Sequence, residues 1–156
     1  MNIRQKEVCD NPTLGALWER SVRATHDFLN EDHIQRLRYL VQESYLLMPE
    51  LEVWVYEDGI GIAGFIATSG HNVEMLFIDA DRRGQGIGRI LLDHARARHP
   101  TLSVDVNEQN PQGVGFYEHY GFIQTGRSPL DNEGNPFPLL HMALRTQQKI
   151  ETIQNA

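Results

Sequence analysis

The sequence predicts a single α/β domain built around a mixed sheet. Its 156 residues fit one domain, and 40% hydrophobic with 22% charged residues is an ordinary globular composition. Segments with strand-like alternation and segments with helical apolar spacing follow one another along the chain. Three strand segments in the middle of the chain are separated only by short turns, which favours antiparallel pairing among them.

Capping residues and prolines mark where the helices begin. Asn11-Pro12 and Asn110-Pro111 each place a capping side chain before a proline, a preferred helix start, and Asn30 can cap a further helix. Gly121 is expected to end the last helix. The predicted elements are, in order, a weak strand over 1–8, helices over 12–24 and 30–46, strands over 53–56, 62–68 and 73–78, a helix over 87–99, a strand over 102–106, a helix over 110–119, and strands over 122–125 and 137–144.

Composition excludes several classes of protein. The formal net charge of −7 argues against a general nucleic-acid binder, which needs a surplus of arginine and lysine. No apolar run is long enough to span a bilayer and no signal peptide is recognisable, so no membrane partner and a cytoplasmic location are expected. Cys9 is the only cysteine, which excludes an intrachain disulfide, and we expect it to be a small buried hydrophobe. The seven histidines lack zinc-like spacing, so no metal site is expected.

A glycine-rich turn is the most informative segment of the chain. The apolar run 73–78 leads into a basic turn containing Gly84, Gly86 and Gly88, after which helical spacing begins. Free N–H groups and the helix dipole at such a start attract an anion, and glycine lets a phosphate approach the backbone. The neighbouring arginines at 82, 83 and 89 add positive charge. The alternative is a turn that only connects a strand to a helix.

Two common phosphate-binding patterns do not fit this turn. The dinucleotide fingerprint requires glycine at the sixth position, which is Arg89, and the P-loop requires a Gly-Lys-Ser/Thr sequence that does not follow. The observed pattern is Arg83-x-x-Gly86-x-Gly88. It resembles the signature of the GCN5-related N-acetyltransferase (GNAT) family, whose loop amides hold the pyrophosphate of acetyl-coenzyme A.

A second segment carries the same resemblance. Residues 110–122 are similar to the family motif Asn-x-x-Ala-x-x-Phe-Tyr-x-x-x-Gly-Phe, with Gly113 in the usual alanine place. The segments 25–29, 106–110, 125–128 and 138–140 resemble more locally the YjaB-type subgroup of bacterial acetyltransferases. The resemblance spans nearly the whole chain, so residues 1–145 are expected to form the acetyltransferase domain and residues 146–156 a polar tail.

The resemblance implies a fold and a co-substrate. The fold is a mixed, mostly antiparallel sheet of about six or seven strands, with helices on both faces and a splayed pair of central strands. Acetyl-coenzyme A lies between those strands, where unpaired backbone groups bond it like an extra strand. The implied cofactor-binding residues are Phe77, Ile78, Arg83, Gly84, Gln85, Gly86, Ile87, Gly88, Arg89, Asn110, Gly113, Phe116 and Tyr117. Asn110 can serve both as a helix cap and as a pantetheine contact.

Tyr117 occupies the position of the family's catalytic tyrosine. A phenol can protonate the leaving thiolate, so the resemblance makes Tyr117 the general acid. The alternative is that Tyr117 is a core aromatic, although Phe116 beside it is the better core candidate. A protonated amine must also lose a proton before it attacks.

Three residues are candidates for the remaining roles at the reacting centre. Glu74 is either the base, directly or through water, or a solvated strand residue. His26, which lies beside Asp27 between the first two helices, is either a base or a helix-terminal hydrogen bonder. Asn107, at a strand end, orients the acetyl carbonyl or the amine.

The sequence leaves the acceptor open. It is an amine, either a protein lysine side chain or a small metabolic amine, and Trp54, Tyr45, Phe28 and His141 are either walls of its pocket or ordinary packing residues. The chain is expected to be a monomer or a homodimer. The opposing hypothesis is a non-catalytic acyl-coenzyme A sensor, which would keep the glycine loop but need neither Tyr117 nor a base.

Overall fold

The computed structural model describes residues 2–144, which form a seven-stranded sheet with helices on both faces. The strand order is β1-β2-β3-β4-β5-β7-β6, and every neighbouring pair is antiparallel except β4 and β5. This confirms the predicted mixed sheet and its element order. The elements are β1 (Ile3–Gln5), α1 (Asn11–Thr25), α2 (Glu31–Glu43), β2 (Glu52–Asp58), β3 (Gly61–Ser69), β4 (Asn72–Ile78), α3 (Ile87–Arg98), β5 (Ser103–Asn107), α4 (Pro111–Tyr120), β6 (Phe122–Ser128) and β7 (Leu139–Leu144).

The sheet separates two hydrophobic cores because side chains alternate across each strand. Helices α1 and α2 pack on one face, where Leu14 and Leu17 meet Phe65. Helices α3 and α4 pack on the other face, where Leu91 and Ile66 are fully buried. None of the helices within residues 2–144 is long and apolar enough to cross a membrane.

Two of the three predicted capping residues cap their helices, and the third is the first residue of its helix. Asn30 accepts a hydrogen bond from the N–H of His33 at 2.9 Å, and Asn110 accepts one from the N–H of Gly113 at 3.1 Å. Asn11 is not the cap of α1 but its first residue, and its side chain accepts from Lys6 instead. Helix α2 ends three residues earlier than predicted, because the chain tightens into a 3₁₀ turn over 45–47.

Cys9 is exposed, so the prediction that it is a buried hydrophobe is wrong. It lies on a short surface turn over 8–10, where its thiol is 3.6 Å from the carboxylate of Glu7. The predicted tail over 146–156 lies outside the described residues.

A β-bulge at Glu74 separates the two central strands. Ala67 of β3 pairs with Met75 while Thr68 pairs with Val73, so Glu74 has no partner on β3. A bulge bends its strand and increases the local twist. The parallel pairing of β4 with β5 accordingly ends at Val73 opposite Val104, one residue before the bulge. The predicted splayed pair is confirmed, and one edge of residues 75–78 remains open.

Gly86 gives a direct test of the loop geometry. It stands at the N-cap of α3 with φ of 78°, and an added Cβ would meet no atom within 4 Å. Only backbone strain therefore opposes a side chain there, and Gly86→Ala should lower the free energy of unfolding by about 1–2 kcal/mol in urea titration. Gly59 also has open space but no positive φ. Gly59→Ala is the matched control and should change stability by less than about 0.5 kcal/mol; equal losses in both variants would show that Gly86 is unstrained.

Candidate active site

A cavity of about 520 Å³ opens between the separated strands β4 and β5. It reaches from the glycine loop to the point where the two strands part, and the end of α1 and the start of α4 close its sides. All four predicted catalytic residues line it. So do the predicted cofactor-binding residues except Gln85, whose side chain turns away to accept a hydrogen bond from Arg82 at 3.2 Å.

The glycine loop offers a set of free hydrogen-bond donors. Within residues 2–144, none of the backbone N–H groups from 84 to 89 donates to another protein group. Gly84 and Gly86 both have φ of 78°, a conformation that glycine adopts without cost. Gly88 lies so close to α4 that an added Cβ would stand 3.0 Å from the ring of Phe116. Free donors at the start of a helix, with no side chains in the way, fit the diphosphate of acetyl-coenzyme A.

The three arginines around the loop have different partners. Arg82 pairs with the carboxylate of Asp58, so its charge is compensated. Arg83 bonds to the Ser21 hydroxyl of α1 at 3.2 Å and to Gln112 of α4 at 3.1 Å, so it bridges the two sides of the cavity. Arg89 is exposed and has no acidic partner within the described part of the chain. No local pattern could have identified Ser21 or Gln112, because these contacts join distant segments.

The two adjacent aromatic residues of α4 are arranged opposite to expectation. Tyr117 is 7% exposed and belongs to the core between the sheet and α3, whereas Phe116 is 36% exposed and covers Gly88. The prediction that Phe116 is the better core candidate is therefore wrong. Consecutive helical residues point about 100° apart, so the rotation of the helix about its own axis decides which aromatic is buried.

Tyr117 is both a core residue and a cavity residue. Its ring packs edge-on against Phe122 at 5.3 Å between centroids, and the residue lines the cavity. Burial raises the pKa of its phenol far above the ordinary value of 10. The hydroxyl is therefore protonated at all physiological pH values and can act as a hydrogen-bond or proton donor.

His26 is a buried, neutral imidazole. The hydroxyl of Thr25 donates to the backbone oxygen of Ser21 at 2.9 Å and lies 2.8 Å from Nδ1 of His26. Because that hydroxyl has one hydrogen, Nδ1 of His26 must donate to it, which leaves the lone pair on Nε2. Burial, assisted by the charge of Arg83, lowers the pKa of His26 from 6.5 to about 4.

Carboxylates and an amide lie near the point where the strands part. Glu74 is exposed at the bulge and accepts a hydrogen bond from Asn72 at 3.1 Å. Asp105, which sequence reasoning did not select, is exposed on β5 directly after the last residue paired with β4. Asn107 is half-buried at the end of the same strand. All three of the residues on the diverging segments, Glu74, Asp105 and Asn107, line the cavity.

The four aromatic and histidine residues considered as acceptor walls lie outside the cavity lining. Trp54 packs against His94 on the α3 face, with ring centroids 4.3 Å apart, so it is a packing residue. Phe28 contacts His26 and Phe137. His141 is bonded to Asp105 on the neighbouring strand. No group of three His, Cys, Asp or Glu side chains among residues 2–144 could hold a metal ion.

Comparison with known proteins shows the class to which this fold and site belong. The sequence model of the Acetyltransferase (GNAT) domain matches residues 22–146, and the chain belongs to this family. It is an acetyl-coenzyme A-dependent N-acetyltransferase, as predicted, so the alternative of a non-catalytic sensor is set aside.

Similarity to particular relatives confirms the expected subgroup. The chain is 45% identical to the peptidyl-lysine N-acetyltransferase YjaB of Salmonella typhimurium, over 91% of this chain and 97% of that protein. It is 44% identical to the YjaB protein of Escherichia coli, over 92% and 96%. The solution structure of apo-form YjaB from Escherichia coli superposes with a TM-score of 0.83 at 43% identity, covering 92% of this chain and 97% of that one.

His26 makes the stability of the fold depend on pH. The unfolded chain binds a proton near pH 6.5 and the folded chain only near 4, so this contribution is present above pH 6.5 and is lost as pH falls towards 4. Between pH 7 and pH 5, His26→Gln should remove about 2 kcal/mol of the acid-induced loss in free energy of unfolding, measured by urea titration. The exposed His71 provides the control, and His71→Gln should retain the wild-type pH slope. If the free energy of unfolding of His26→Gln fell between pH 7 and pH 5 as steeply as that of the wild type, the ring of His26 would have to take up its proton in the folded protein over the same pH range as in the unfolded chain.

Proposed function

We propose that this enzyme transfers the acetyl group of acetyl-coenzyme A to the side-chain amine of lysine in a peptide or protein, by direct attack of the amine on the thioester. The observation that carries the proposal is the polarity of the cavity. Free N–H donors and Arg89 stand at one end, and the carboxylates of Glu74 and Asp105 stand at the other. An anionic co-substrate and a cationic amine would therefore enter from opposite ends. The relatives named peptidyl-lysine N-acetyltransferases support lysine as the acceptor.

The bound acetyl-coenzyme A supplies an activated acyl carbon with a thiolate leaving group. The N–H groups of the loop 84–89 hold its diphosphate, and the open edge of β4 at Phe77 and Ile78 bonds to its pantetheine amides. Asn110 and Gly113 form the wall opposite that edge. An added Cβ at Gly113 would stand 2.5 Å from the side-chain nitrogen of Asn110, so the glycine leaves room for the cap of α4.

Tyr117 is proposed as the proton donor to the leaving thiolate. Its hydroxyl has no hydrogen-bond partner within residues 2–144, although the residue is buried and lines the cavity. A phenol in these surroundings keeps its proton until a developing negative charge accepts it.

Glu74 is proposed as the group that receives the proton of the amine. The bulge directs its carboxylate to the separation point of the strands, and its exposure lets the proton pass on to water. His26 is a weaker candidate, because its ring is buried and the nearby charge of Arg83 opposes a second positive charge there, whereas a carboxylate that accepts a proton becomes neutral. We assign His26 to the wall on the amine side. Asn107 is proposed to orient the acetyl carbonyl or the amine with its amide.

The acceptor assignment is tested by product analysis. The purified enzyme is incubated with acetyl-coenzyme A, lysine-containing peptides, matched peptides with arginine in place of lysine, and a mixture of small metabolic amines. Mass spectrometry should find acetylation of lysine side chains, together with release of the free thiol. Acetylation of small amines alone would contradict a peptidyl acceptor, and tight coenzyme A binding without any thiol release would contradict the proposed reaction.

Tyr117→Phe separates proton donation from packing. The phenylalanine ring keeps the core contacts, so the affinity for coenzyme A, measured by calorimetry, should change little. Loss of the proton donor should lower kcat about 100-fold, measured by thiol release. Tyr120→Phe is the control on the same helix, since that hydroxyl bonds to Asp93 outside the cavity, and its kcat should be unaffected. A normal kcat in Tyr117→Phe would exclude Tyr117 as the general acid.

A further inference from the structure

Asp105 stands at the point where the two central strands separate. The last pair between β4 and β5 joins Val73 to Val104, and Asp105 is the next residue of β5. Its neighbours Val104 and Val106 are buried towards α3 and α4, so the side chain of Asp105 points to the opposite face of the sheet. There it is exposed and lines the cavity.

A chain of hydrogen bonds holds Asp105 from the side away from the cavity. Nδ1 of His141 lies 2.6 Å from Oδ1 of Asp105, and Nε2 of His141 lies 2.7 Å from the hydroxyl of Ser128. His141 is directly opposite Asp105 in the β5–β7 register. It is also opposite Gly126 of β6, where an added Cβ would stand 3.4 Å from the imidazole ring. The imidazole ring of His141 therefore packs beside Gly126.

The chemistry of the groups fixes the direction of the bond between His141 and Asp105. A carboxylate can only accept, so Nδ1 of His141 carries a hydrogen and donates it to Asp105. In the neutral ring Nε2 then accepts from the hydroxyl of Ser128. One oxygen of Asp105 is thereby engaged. The other, Oδ2, has no hydrogen-bond partner within residues 2–144 and remains available to a ligand in the cavity.

We propose that Asp105 binds the ammonium group of the acceptor and that His141 and Ser128 are positioning residues that hold its carboxylate at the separation point. This inference rests on the proposed lysine acetyltransferase function and adds the group that selects a cationic acceptor. The two carboxylates have different roles because they lie on different strands. Asp105 on β5 binds the ammonium group while it still carries its proton, and Glu74 at the bulge of β4 then receives that proton.

Steady-state kinetics with a lysine peptide test the role of Asp105. Asp105→Asn keeps the shape of the side chain but removes its charge, and it should raise KM for the peptide about five- to tenfold while kcat and KM for acetyl-coenzyme A change less than about twofold. Glu108→Gln is the matched control, because Glu108 is a nearby exposed carboxylate that pairs with Arg127 and does not line the cavity. It should leave all three constants unchanged. Equal peptide KM values in the two variants, or a loss confined to kcat, would overturn the proposal.

Two variants of His141 test the positioning role. His141→Asn retains an N–H donor near the position of Nδ1, so it should keep the peptide KM within about twofold of wild type. His141→Ala removes the donor and should raise the peptide KM towards the value of Asp105→Asn. Equal peptide KM values for the two His141 variants would contradict positioning through this bond.

Ser128 provides an independent check on the positioning role. Its geometry with His141 and Asp105 also matches a serine nucleophile activated by a base. Treatment of the enzyme with a fluorophosphonate should leave Ser128 unlabelled and acetyl transfer intact. Covalent labelling of Ser128, found by peptide mass spectrometry, would identify it as a nucleophile and overturn the assignment of Ser128 and His141 as positioning residues.

If the wild-type enzyme binds coenzyme A but acetylates no lysine peptide, both the proposed function and this inference fail. If the wild type acetylates the peptide and Asp105→Asn behaves like Glu108→Gln, only the inference fails.

Discussion

The single extra residue in β4 is the constraint on which the site depends. Glu74 interrupts the pairing with β3, and the twist it introduces ends the pairing with β5 at Val73. Without that bulge the two strands would continue side by side, and the open backbone edge over 75–78 would be covered. The cavity, its carboxylates and the path from the glycine loop all follow from the separation.

The two ends of the cavity are lined by different kinds of groups, backbone N–H groups at one end and side chains at the other. The loop end is built from backbone groups, so its affinity for an anion depends on φ angles and helix position rather than on any one side chain. The end proposed to receive the amine is built from side chains on the diverging strands β4 and β5. Hydrogen bonds through His141 of β7 and Ser128 of β6 hold Asp105 there. A change of acceptor can thus evolve by substitution at one end while the other end keeps the co-substrate.

Local chemistry made much of this arrangement predictable from the sequence. The glycine loop, the caps at Asn30 and Asn110, and the motif around Tyr117 are fixed by residues within a few positions of one another. The contacts that escaped prediction join distant segments: Arg83 to Ser21 across 62 residues, and Asp105 to His141 across 36. No residue pattern around Glu74 predicts the β-bulge there. Phe116 is exposed and Tyr117 is buried, the reverse of the prediction, because the rotation of α4 about its axis is set by tertiary packing.

The free donors between 84 and 89, together with the open edge of β4, leave the backbone hydrogen bonding of the native state incomplete. A ligand that satisfies these groups binds only the folded chain, and each tenfold rise in its free concentration above the dissociation constant adds about 1.4 kcal/mol to the free energy of unfolding. Coenzyme A bound at this site would therefore lower the fraction of unfolded chains that a protease can cleave.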